Sequence, residues 1–331
     1  MNFTRRQFIS TCLGGLALGL SGLAVGKKLR ELAWKERVLI ARALTYEADL
    51  AGILVRGLKE LGITPGEVKG KTVLLKPNLV ETSLGAPHIN THPLVVRGAA
   101  EAFLKLGAGR VLVAEGPGHI RDTLLVLEES GLAEVLQEDR IPFIDLNYDM
   151  GYQVPNAGRF SPLKTLTLPV TLKEADIIVS LAKLKTHHWA GVTLSMKNLF
   201  GLMPGSFYGW PKNVLHVAGI DHCIIDINAT VRPHLAIVDG IVGMEGDGPI
   251  MGTPKEVGVL VLGRNLTAVD ATCARLMGVD PHRVRHLALA GDRLGPIREN
   301  QIIQTGENIA SVRTNFQLLD YIPAHRGLRN L

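Results

Sequence analysis

The sequence predicts an α/β fold, a mostly parallel sheet with helices on both faces and a small inserted cap. Three observations lead there. Short β-branched apolar runs alternate with stretches whose apolar residues recur at helical spacing. The runs are apolar on successive residues, as in Ile177-Ile178-Val179, which suits strands covered on both faces. Most of them then run into a charged or amide residue.

In chain order, residues 38–42 read as a first strand and 47–61 as a helix, apolar at 50, 53, 54, 58 and 61 and stopped by Gly62 and Pro65-Gly66. A second strand at 72–75 is expected to end before Pro77, which has no N–H for a ladder. Residues 92–106 form a helix opened by Thr91 and Pro93. A third strand at 111–114, a helix at 121–138 and a fourth strand at 142–146 follow. The cap is expected at 147–170 or 202–216. The second of these segments carries Phe207, Tyr208 and Trp210, and reads equally as a lid or a packed connector. Strands at 176–182, 235–238 and 257–262 and helices at 190–201, 220–231, 266–277 and 281–290 complete the pattern.

The 331 residues suffice for one large α/β domain, and a 46% hydrophobic content supplies a sizeable core. Only 5% are aromatic and the net charge is +5, with no run of like charges, so nucleic acid is not an expected partner. Residues 1–26 read as a twin-arginine-type signal or N-terminal anchor. Thr4-Arg5-Arg6-Gln7-Phe8-Ile9 precedes an uncharged Gly/Ala/Leu-rich span, too short for a typical membrane helix. The expected location is therefore outside the cytoplasm, periplasmic or anchored on the outer side of the inner membrane, reached through the twin-arginine export machinery.

Four stretches carry a resemblance: Lys183-Leu184-Lys185-Thr186-His187, Met196-Lys197-Asn198-Leu199-Phe200-Gly201, the loop from Asp239 to Pro249, and Leu74-Leu75-Lys76-Pro77-Asn78-Leu79-Val80. Together they resemble the DUF362 family, a group without a settled reaction, over roughly residues 37–295, leaving 296–331 as a C-terminal extension. The resemblance implies an α/β domain in exported or iron–sulfur contexts, and hence a redox or iron–sulfur protein as a candidate partner. Many relatives carry a ferredoxin-like cysteine cluster. This chain has only Cys12, Cys223 and Cys273, so an intrinsic four-cysteine iron–sulfur site is excluded by count.

In a parallel sheet the carboxyl ends of the strands share one edge, where ligands bind. Lys183, Lys185, His187 and Glu115 are the candidate catalytic groups there. Lys76, Asn78, Lys197 and Asn198 are candidate ligand-binding groups, with Gly116 and Gly118 offering backbone amides. Asp239, Glu245 and Asp247 form a candidate divalent-metal set. The combination points to a small anionic ligand, or a metal or cofactor, at that edge. The protein is then either an enzyme using these groups or a non-enzymatic carrier, maturation or docking factor for a redox system. Replacing Arg5 and Arg6 with lysine is expected to trap the protein in the cytoplasm. Fractionation of expressing cells checks this, and unchanged export of the variant would refute the leader.

Overall fold

The apolar runs form strands whose alternate residues feed two separate cores. The computed structural model describes residues 34–83, 85–118, 122–291 and 293–329; the expected leader at 1–26 lies outside them. The strands are β1 (Glu36–Arg42), β2 (Thr72–Pro77), β3 (Arg110–Glu115), β4 (Phe143–Asp145), β5 (Gly151–Pro155), β6 (Thr165–Pro169), β7 (Ile177–His187), β8 (Gly191–Thr193), β9 (Leu235–Glu245), β10 (Thr253–Gly263) and β11 (Ile302–Gly306). The main sheet runs β11-β1-β10-β9-β7-β2-β3-β4, and β8 pairs with the end of β7. From β9 to β4 every neighbouring pair is parallel. β10 is antiparallel to both its neighbours, and β11 joins β1 in parallel.

Val73, Leu75, Val179 and Leu181 enter one core, while Leu74, Leu112, Ile178 and Ala182 enter the other. This period of two explains why the strands are apolar on consecutive residues. Helices Leu50–Glu60 and Pro93–Lys105 cover the first face with Leu54, Leu58, Val96 and Phe103. Helices Ile220–Val231 and Leu266–Leu276 cover the second with Ile224, Ile227, Val269 and Cys273. Where a turn-rich excursion is expected, β5 and β6 pair as a separate two-stranded sheet.

Several element expectations need correction. The helix expected at 121–138 is two helices, Thr123–Glu129 and Leu132–Glu138, because Gly131 takes φ 74° between them. β2 continues through Pro77, opposite Leu181. The absent proline N–H leaves no orphan there, because the Leu181 carbonyl accepts from the Thr91 hydroxyl at 2.8 Å. β7 runs five residues past Ala182, to His187, and all eleven of its residues are buried. Pairing with β8 and β9 satisfies that backbone, so tertiary contacts override the local polarity. The helix expected at 190–201 is instead β8, the short helix Ser195–Asn198 and a 3₁₀ turn at Leu199–Leu202.

The short helix is held from outside. Its N-cap residue, Leu194, has no side chain able to cap. Asp270, from helix Leu266–Leu276, accepts the amides of Ser195 at 2.8 Å and Met196 at 2.9 Å and the Ser195 hydroxyl. Burial pushes its carboxyl up to about 6, against the pull of these donors. Asp270→Ala strands two amides and a hydroxyl, at roughly 1–3 kcal/mol per buried donor. The variant is expected to lose about 3 kcal/mol or more in urea unfolding, with Asp270→Asn, which keeps an acceptor, losing less.

Candidate functional site

A cavity of about 480 Å³ opens at the carboxyl edge of β2, β3 and β7. Burying a lysine amine requires either a counter-charge or hydrogen-bond acceptors. The structure answers that requirement differently at each of its lysines.

Lys76, at the end of β2, is 1% exposed and donates to the Glu115 carboxylate at the end of β3. Its amine also reaches Asn198 Oδ1 at 2.9 Å and the Pro77 carbonyl at 2.7 Å. Glu115 further accepts the amides of Leu79 at 3.2 Å and Gly116 at 2.9 Å. Burial lowers the Lys76 amine and raises the Glu115 carboxyl, each opposed by the other's charge. The pair fills the space where a side chain at 201 would stand. A Cβ on Gly201 would lie 1.8 Å from Glu115 Oε1 and 2.6 Å from Lys76 Nζ, so a larger residue there must displace the pair.

Lys185 also lines the cavity, and its amine donates to the carbonyls of Ile89 at 2.8 Å and Pro249 at 3.1 Å. Burial, reinforced by Lys183, Lys197 and Lys76, holds it well below the usual lysine range. Lys212, the residue before helix Asn213–Val217, donates to Asn147 Oδ1. Lys197 sits on the short helix with its amine 3.9 Å from the centre of the Phe200 ring. Among the described residues, neither Lys185, Lys197 nor Lys212 has an ion pair with a carboxylate. Burial brings Lys197 and Lys212 down to about 7, the neighbouring Lys76 charge adding to the drop at both.

Three histidines complete the wall. His187 Nδ1 accepts the amides of Trp189 at 3.0 Å and Ala190 at 3.3 Å, closing the turn between β7 and β8. The neutral ring therefore carries its proton on Nε2. His216 Nδ1 lies 3.0 Å from the Lys212 carbonyl, an acceptor only, so there Nε2 holds the lone pair. Burial and Lys197 lower both rings, His216 to about 4 and His187 well below the usual histidine range. His188 faces Asp247 at 3.7 Å. Asn78 Oδ1 and Thr193 Oγ1 are buried at the cavity with no hydrogen-bond partner among the described residues.

The sequence-derived candidates divide. Glu115, Lys76, Asn78, Lys185, His187, Lys197, Asn198, Gly116, Gly118 and Asp247 line the one cavity. The Gly116 amide does not face a ligand, because it is taken by the Gly201 carbonyl at 3.0 Å and by Glu115. Lys183 and Asp239 do not reach the cavity. They pair at 2.8 Å in the interior, with Tyr46 Oη 2.9 Å from the lysine amine and the His92 amide 3.0 Å from the carboxylate. Tyr46 stacks on His92 at 3.6 Å, and burial with the Asp239 charge pushes its phenol up. Glu245 instead pairs with Lys255 at 3.3 Å and caps the Gln317 amide. Asp239, Glu245 and Asp247 are thus spent on separate partners, and no group of three metal-ligating side chains occurs among the described residues. Lys212, His216 and Thr193 were not singled out from the sequence. The four-residue spacing of Lys212 and His216 was the available signal.

A model described as a domain of unknown function, DUF362, matches residues 73–275. The chain belongs to the DUF362 family. It is 32% identical over 268 residues to a thylakoid-associated protein of Synechocystis sp., covering 78% of this chain and 79% of that one. Among solved structures it is similar to a Thermotoga maritima protein, at 16% identity and TM-score 0.41, over 71% of this chain and 59% of the other. It is also similar to the lactate racemase apoprotein of Thermoanaerobacterium thermosaccharolyticum, at 14% identity and TM-score 0.45, over 74% and 57%. The chain spans less than two thirds of either solved chain. No helix among the described residues is long and apolar enough to cross a membrane.

The two kinds of lysine, the buried and paired Lys183 and the half-buried, unpaired Lys197, make opposite predictions. Lys183→Met leaves the Asp239 charge uncompensated and is expected to cost about 3–5 kcal/mol. Lys197→Met removes an amine without a carboxylate partner and is expected to leave stability unchanged or raised. Parallel urea melts check this, and equal losses in both variants would refute the distinction.

Proposed function

We propose that this DUF362 protein binds a small anion-bearing ligand at the carboxyl edge of its sheet. The observation that carries this reading is the set of Lys185, Lys197 and Lys212, three amines around one cavity without a carboxylate partner among the described residues. An anion entering there supplies the counter-charge that the fold withholds. Asn78 Oδ1 and Thr193 Oγ1 are further polar groups whose hydrogen-bonding capacity is unused. The neutral His216 and His187 give the site one proton acceptor and one donor, which favours an enzyme over a passive carrier. The leader in residues 1–26 and the thylakoid-associated relative support work at a membrane and outside the cytoplasm.

Inorganic sulfate, titrated calorimetrically into the purified protein, tests the binding. An anion favours the protonated amines, so the affinity should be full below pH 7 and fall as pH rises through about 7, where free Lys197 and Lys212 lose their protons. Lys197→Met is expected to weaken binding by roughly ten- to a hundredfold, the equivalent of one charge-assisted hydrogen bond. Sulfate that fails to bind, or binds equally well across that pH range, would refute the proposal.

A further inference from the structure

The cavity lysines differ in what their amines already do. Lys76 is engaged by Glu115 and Asn198, Lys185 by two carbonyls, and Lys212 by Asn147. Lys197 is the one cavity lysine whose amine makes no hydrogen bond among the described residues, being held only over the Phe200 ring. It is carried on a helix pinned by Asp270, so its position is fixed while its nitrogen is unused.

We infer that Lys197 is an imine-forming amine for a small carbonyl compound that also bears a carboxylate or phosphate. This rests on the anion-binding reading: Lys185 and Lys212 take the anionic group, and the carbonyl carbon is presented to Lys197. The amine lone pair forms the C–N bond, and the carbonyl oxygen becomes the hydroxyl of a carbinolamine. That oxygen leaves as one water, carrying both amine protons, and the C=N bond remains. No oxidant or reductant is needed. Protons move between nitrogen and oxygen through His216, whose Nε2 lone pair is unprotonated at neutral pH. Uptake of one proton from solvent by the imine nitrogen gives an iminium, which draws electrons from the neighbouring carbon, the usual purpose of a lysine nucleophile.

The surroundings favour the neutral amine that such attack requires. Lys197 is faced by Lys76 from β2, Glu115 from β3, Lys185, His187 and His188 at the end of β7, and His216 from helix Asn213–Val217. With its amine near 7, about half of Lys197 is unprotonated at neutral pH. An exposed lysine near 10.4 is unprotonated roughly a thousandfold less.

Borohydride trapping tests the inference on the intact protein, with pyruvate and glyceraldehyde 3-phosphate as separate probes and peptide mass mapping as the readout. The expected result is a reduced adduct on Lys197 from at least one probe, formed at a rate that rises with pH, is half-maximal near 7, and is slowed by sulfate. Lys197→Arg, which has no amine able to form an imine, should give no adduct at that position. Absence of a Lys197 adduct from both probes overturns the imine role. If sulfate still binds in that experiment, the anion-binding reading survives. If sulfate fails as well, both fall. A Lys197 rate that climbs towards pH 10 like surface lysines also overturns the inference.

Discussion

Taking an ammonium out of water costs several kcal/mol even after the protein relaxes. This protein does so repeatedly along one sheet edge, where Lys183 and Lys185 are 0% exposed and Lys76 is 1%. Much of the surrounding architecture follows from meeting that cost. Asp239 is placed opposite Lys183 by the parallel register of β7 and β9. Glu115 reaches Lys76 from the next strand, and glycine is kept at 201 so that the pair has room. Lys185 reaches two carbonyls, one from each of two loops.

The same cost separates structure from function. Where a carboxylate completes the charge, as for Lys183 with Asp239 and Tyr46, the group is a closed polar network in the interior and has nothing left to offer a ligand. Where no carboxylate is provided, the amine lies at the cavity. Lys197 and Lys212 fall in that second class, and both are lowered to about 7. A fold needing these charges only for its own stability gains nothing from leaving them uncompensated, since an apolar residue of similar size packs without the desolvation loss. Retaining them is intelligible when a ligand brings the missing charge.

Much of this was legible in the sequence, for identifiable reasons. Apolar runs with period-two burial on both faces gave the parallel sheet, and the shared edge brought Lys76, Glu115 and Lys185 together from distant positions. What could not be read was the length of β7. Lys183, Lys185 and His187 look like a solvated loop locally, and only pairing with β8 and β9 makes them buried strand. That extra length decides which residues face the cavity, so Lys183 could not be told from Lys185 by composition. Lys212 was read only as part of the 202–216 loop and not as a site residue, because its placement depends on Asn147, 65 positions away. The role of Asp270 was hidden likewise, since it caps a helix 74 or 75 residues distant rather than its own.

The site that results holds amines whose charge can change near neutral pH. His187 and His216 are held neutral by burial and by the lysines around them, while Lys197 and Lys212 lie near the midpoint of their titration at neutral pH. An anion arriving as proposed would favour protonation of the amines, with His216 as the proton acceptor in the same cavity. Burial, which made the lysines costly, is therefore also what makes them responsive. An exposed lysine stays charged whatever approaches it, whereas these can lose or regain a proton near neutral pH, as the proposed roles require. The mouth of the cavity, where Trp189 is 54% exposed and Met251 78%, adds an apolar rim to that charged floor. On the proposed reading, the floor would meet one charged end of a ligand and the rim its carbon body. Such a site, if it binds as proposed, would be half used by a free inorganic ion and fully used by an organic anion.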